Sequence, residues 1–175
     1  MKTIGVAIAT LALLLVAATA VAAQEDEAMP AGDPAVYFTG TFEELPPELP
    51  VPVMNPETGV LEIRDGRLEF ISEAGDPRTE GPYAVDPFHM DIDPTTGVGR
   101  MWGTGHIEND DGSWDGTVRG MHYPVAEGVD GYTAFGVLSG SGAYEGLTYS
   151  YRASFDGEDA SVEAIIYEGE PAPVE

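Results

Sequence analysis

Trp102-Gly-Thr-Gly-His-Ile-Glu-Asn-Asp-Asp-Gly-Ser-Trp-Asp-Gly116 decides the fold class of this chain. Two short runs with period-two alternation flank a cluster of Asn, Asp and Gly, which is the composition of a strand, a tight turn and a returning strand. Within each run a glycine stands one or two positions from an aromatic ring. Glycine inside a strand marks a bend, a bulge or a close backbone approach, and the neighbouring ring can cover the bare main chain. Tyr144-Glu-Gly146-Leu repeats the device, so the wall is expected to curve sharply.

Working outward, the same grammar covers most of the chain. Strands are expected over 36–43, 60–64, 67–72, 83–93, 98–107, 113–123, 132–138, 143–155 and 160–168. Asp65-Gly66, Asp111-Gly112 and Asp156-Gly157 are read as hairpin turns. Residues 44–57 hold five prolines in fourteen positions, which excludes them from a sheet interior. The 22 glycines and 14 prolines leave no room for long helices. The expected architecture is all-β, a small antiparallel barrel of eight or nine strands, with a two-sheet sandwich as the alternative.

The domain is bracketed by segments of different character. Residues 1–23 read as an export signal. Lys2 is the positive start, 4–16 an uncharged apolar run, and Ala20-Val21-Ala22-Ala23 a small-residue cleavage site, whose small residues favour cleavage over an uncleaved N-terminal anchor. Cleavage leaves an acidic, Pro-containing leader over 24–34 without periodicity, a single domain over 35–169, and a short tail over 170–175. The destination is the periplasm or the medium. With no cysteine in the chain there is neither a disulfide framework nor an acylation site of the lipoprotein kind.

Charge narrows the function classes. The chain carries 31 Asp and Glu against seven Lys and Arg, and Lys2 is the only lysine. After signal removal six arginines remain (Arg64, Arg67, Arg78, Arg100, Arg119 and Arg152). Phosphate backbones and anionic lipid surfaces repel such a protein, which argues against nucleic-acid and membrane partners. Lysine Schiff-base and cysteine nucleophile chemistry are excluded for the mature form.

Two constellations remain as sites. On alternating strands, His89, Asp91 and Asp93 share one face, and His106 and Glu108 repeat the arrangement. If the two strands brought these faces together, they could hold a divalent cation such as calcium or form an acid–base pair. The plainer reading is two solvated strand faces in a very acidic chain. Asn109-Asp-Asp-Gly-Ser113 has the composition of a calcium loop but not its spacing, and a β-turn accounts for it. The second constellation is aromatic. Trp102, Trp114, Tyr144, Tyr149 and Tyr151 are the candidate lining of a pocket for a small apolar ligand. A barrel filled by those rings reads the same way and is the reading preferred here, because an eight-stranded barrel has room for side chains or one small ligand, not both. No P-loop, G-x-G-x-x-G, H-E-x-x-H or G-x-S-x-G occurs, so no catalytic motif points to an enzyme and no cofactor is called for.

The stretch Gly136-Val-Leu-Ser-Gly140-Ser-Gly142-Ala-Tyr144-Glu-Gly146-Leu147, together with Trp102-Gly-Thr-Gly105 and Gly112-Ser-Trp114-Asp-Gly116, resembles exported bacterial β-barrel proteins. Its Gly-x-Gly-x-Tyr-x-Gly hairpin is similar to that of the allene oxide cyclase-like and dirigent-like barrels, and Asp76-Pro-Arg78 is a further shared element. The resemblance spans about residues 36–168 and rests on structural residues. It implies an eight-stranded antiparallel barrel and is compatible with a homo-oligomer. It also implies the company of cyclases of apolar oxidised lipids and of proteins that orient radical coupling without a redox centre. No catalytic residue of either group matches a position here. The function expected is that of an exported soluble acidic barrel domain of unassigned role, for which a small apolar ligand is one candidate. The alternatives are a cofactor-free isomerase or cyclase and a divalent-cation-binding domain.

Overall fold

The computed structural model describes residues 35–73 and 75–171. The export signal, the leader over 24–34 and residues 172–175 of the tail lie outside them. Among the described residues there are nine strands: β1 (Ala35–Glu44), β2 (Val53–Met54), β3 (Leu61–Glu73), β4 (Gly81–Ile92), β5 (Gly99–Glu108), β6 (Gly112–Ala126), β7 (Val129–Gly142), β8 (Leu147–Phe155) and β9 (Ala160–Glu168). The one helical element among the described residues is a 3-10 turn at Pro77–Thr79.

All pairings are antiparallel, in the order β1-β9-β8-β7-β6-β5-β4-β3-β2, and β1 pairs with β3 as well. The sheet therefore closes in a barrel-like ring of eight strands, with the two-residue β2 lying along β3. Closure removes the long free edges that an open sheet would expose. From β3 to β9 the chain runs as successive hairpins, and only the proline-rich segment between β1 and β3 departs from that rule.

Asp65-Gly66 is a correction. It is not a hairpin turn; β3 runs through it as one strand. The reason lies in the phase of the core residues. Ile63 and Leu68 are both buried, yet they stand an odd number of positions apart and would face opposite sides of a regular strand. An irregularity at Asp65-Gly66 slips the register against β4 and turns both inward. Asp65 adopts φ 57°, so the pair supplies the left-handed backbone that it would have used in a turn. The partner strand answers with its own slip between Val85 and Phe88. The other two turns fall as expected, between β5 and β6 and between β8 and β9.

Inward positions build the core: Ile107, Trp114, Leu138 and Ile166 are 0–1% exposed. Those four, with Thr79 and Thr148, are the most deeply enclosed side chains.

Candidate functional site

The two ends of the ring differ. At one end three turns are tied into a stopper. Asp76 caps the 3-10 turn, accepting from the Arg78 amide at 3.0 Å and from its guanidinium at 2.9 and 2.6 Å. The Arg78 carbonyl in turn accepts from the Trp114 indole at 2.7 Å and from Asn109 Nδ2 at 3.2 Å. Tyr144 donates to Asn109 Oδ1 at 2.8 Å and stacks on Trp114 with ring centroids 5.0 Å apart. Each buried polar group has its partner, as a dry interior requires.

Towards the other end the interior opens into a cavity of about 190 Å³. Its walls are apolar: Phe42 from β1, Leu68 and Phe70 from β3, Val85, Phe88 and Met90 from β4, Met101 from β5 and Val118 from β6. The aromatic side adds Tyr83, Tyr132, Tyr149 and Tyr151, with Phe155 closer to the rim. Glu44, Pro47, Leu49, His122 and Asp130 complete the mouth, and among the described residues no Lys or Arg lines the space.

The proline-rich segment crosses part of this mouth. Leu45 donates to the Glu69 carbonyl at 2.9 Å, and Glu48 exchanges both backbone bonds with Arg67 at 2.9 and 2.8 Å. Leu49 then lies over Gly66, where a Cβ would meet its Cδ2 at 2.9 Å. The prolines keep this strap out of the sheet while its few free amides hold it to β3.

Polar chemistry inside the cavity is phenolic. The Tyr83 and Tyr151 hydroxyls are bonded to each other across the ring. Burial pushes both phenols upward, so both stay protonated at neutral pH. Tyr149 is raised mainly by burial. Tyr132 donates to Glu44 Oε2 at 3.3 Å and is held up by burial and by the Glu44 charge. Glu44 is itself pushed up by loss of water, against which the Tyr132 bond works only in part. His122 faces the mouth with Nδ1 3.1 Å from the Gly97 carbonyl and Nε2 3.6 Å from Asp130.

The expected aromatic residues divide among three places. Tyr149 and Tyr151 line the cavity, and Trp114 and Tyr144 form the stopper. Trp102 borders the cavity but sends its ring to the outer face. There it lies against the Arg64 and Arg100 guanidiniums at 5.1 and 5.2 Å and against His89 at 5.5 Å.

The two polar faces are not brought together. Across β4 and β5, His89 stands opposite Trp102 while His106 stands opposite Ala84. Asp91 is taken up by Arg64 and by Arg100, whose Nε and Nη2 lie 2.9 and 2.7 Å away. Burial acts to raise the Asp91 carboxyl, but the two guanidiniums outweigh it and hold it below the usual range. Asp93 accepts from the Thr95 amide at 2.8 Å in its own turn. His106 pairs with Asp115 at 2.7 Å and approaches Glu108 at 3.7 Å. Among the described residues no group of three His, Asp or Glu side chains is placed to hold a metal ion.

Sequence reasoning missed Tyr83 and Glu44 as site residues. A signal for Glu44 existed, because it shares strand parity with Phe38 and Phe42 and so falls on the inward face as β1 reaches the rim. Tyr83 carried a similar signal, two positions before Val85. Comparison of the chain with family models, with curated proteins and with solved structures finds no match.

Proposed function

We propose that this chain is an exported barrel that binds a small apolar ligand in a one-ended cavity. One observation carries the reading: the ring is packed solid around Trp114 at one end and empty over about 190 Å³ at the other. An eight-stranded ring has an interior that side chains can fill or that can hold one small ligand. Here the filling stops partway. Apolar walls with a few polar groups are how small-molecule sites are built. Export is supported by Lys2, the apolar run over 4–16 and the small residues over 20–23.

Native mass spectrometry tests both parts at once, on the full chain expressed in a secreting bacterial host. The denatured mass is expected to begin at Ala23 or Gln24, and the native mass to carry a small molecule lost on denaturation. A full-length denatured mass recovered from the cell fraction removes the cleaved signal. A bare native mass, with no rise in Tm on adding small apolar compounds, removes the ligand.

Glu44 favours a second reading, a cofactor-free isomerase or cyclase. It is an exposed carboxylate at the rim of the cavity, of raised proton affinity through partial loss of water, beside the Tyr132 phenol, a candidate base next to a candidate acid. Recovery of a ligand chemically different from the one supplied, lost in Glu44→Gln, would favour this reading over carriage.

A further inference from the structure

The cavity's phenols can be counted, and the count says what a ligand must bring; this rests on the pocket reading above. Tyr83 on β4 and Tyr151 on β8 meet edge to face, with ring centroids 5.9 Å apart, and bond hydroxyl to hydroxyl. Two hydroxyls carry two protons, and the bond between them uses one. The other proton has no acceptor among the described residues. Tyr149 is turned towards Thr79, Tyr132 donates to Glu44, and the Ser72 hydroxyl in the wall bonds to neither phenol. Tyr151 is only 6% exposed and Tyr83 is half-buried, so an acceptor for that proton has to come from within the cavity. An unpaired donor in apolar surroundings is costly to leave, and an acceptor brought by a ligand relieves it.

We propose that the cavity takes an uncharged apolar molecule with one hydrogen-bond-accepting oxygen (a ketone, aldehyde, ether or epoxide), seated with that oxygen on the free proton of the Tyr83–Tyr151 pair. Charge excludes the anionic relatives of such compounds. Among the described residues no Lys or Arg lines the space, and Glu44 and Asp130 stand at its mouth. The volume of about 190 Å³ exceeds the roughly 150 Å³ in which benzene binds to an apolar cavity, so the ligand is of about ten heavy atoms.

Calorimetric titration of the full chain with 1-indanone, indane and indane-1-carboxylate tests this. The ketone should bind at least about tenfold more tightly than the hydrocarbon of the same shape, the difference expected of one well-made hydrogen bond. The carboxylate should not bind. The carbonyl stretch of bound indanone should fall below its value in a hydrocarbon solvent. Tyr83→Phe with Tyr151→Phe removes both hydroxyls together, leaving no orphaned partner, and should make ketone and hydrocarbon equal. Either single substitution leaves one phenol with its proton free and should keep the ketone preference.

Equal binding of indane and indanone to the wild type overturns the inference and leaves the pocket reading standing. Binding of neither overturns both. A ketone preference that survives the double substitution, an unshifted carbonyl stretch, or a carboxylate bound as tightly as the ketone each overturns the inference alone.

Discussion

The ring of Tyr151 lies over the α-carbon of Gly136, its partner across β7 and β8, so closely that a Cβ at Gly136 would fall within the ring's own envelope. Tyr83 has a similar seat, because a Cβ at Gly105 would stand 2.5 Å from its hydroxyl oxygen. Both members of the phenol pair thus owe their position to a missing side chain in the wall.

Gly136→Ala is expected to destabilise the domain by about 1–3 kcal/mol, the usual range for overpacking. In a Tyr151→Ala background the same change should be nearly free, because the obstructing ring is gone. Urea unfolding of the four variants measures the coupling. Equal destabilisation in both backgrounds would show that something other than the ring resists the methyl group.

Glu44→Gln is expected to raise Tm at pH 7. An acid whose folded pKa lies above its unfolded value loses stability as pH rises through that interval, and Glu44 is such an acid. Glutamine keeps an acceptor for Tyr132 without the charge. At about pH 4, near the ordinary glutamate value, the two proteins should converge. Glu43→Gln removes the same charge from the outward face and serves as the control; a matching pH-dependent gain there would assign the effect to net charge.

His106 is expected to titrate above the ordinary histidine value, because Asp115 accepts its ring proton and Glu108 adds to the attraction. The pairing stabilises the fold fully below about pH 6.5 and is lost as pH rises through the raised folded value. The gain is small, since the imidazole side chain is 45% exposed. An NMR titration of Asp115→Asn should show the His106 pKa falling; an unmoved midpoint would leave the Asp115 contact without electrostatic content.

With 31 acidic residues against seven basic ones, Tm should climb between low and moderate ionic strength with any monovalent salt. A flat response would mean that the carboxylates stand too far apart to repel appreciably.

The strands were legible because alternation and turn chemistry are local. The sequence reading places the last strand at 160–168, and β9 spans Ala160–Glu168. Asp65-Gly66 misled because the backbone that closes a tight turn is the same one that a bulge needs. Only the pairing of β3 with β4, a property of two strands, separates the cases. The site was less legible. Aromatic residues near glycines could be listed from the chain, but parity along one strand does not say how far along the barrel axis a ring sits. Trp114 and Tyr149 are both inward, yet one belongs to the stopper and the other to the cavity. His89 and His106 lie on one face of adjacent strands and remain apart because pairing puts Trp102 opposite the first and Ala84 opposite the second.

If the cavity is the ligand site proposed above, the bonds that converge on the Arg78 carbonyl also decide how traffic must run. A barrel shut at one end is a vessel with a single door, not a conduit. Whatever enters past Glu44 and Asp130 departs by the same rim, so an arriving molecule must wait for the resident one to go. Loading would then be strictly competitive, and the strap from Leu45 to Leu49, tied to β3 at the threshold, stands where both the rate of filling and the rate of emptying would be set.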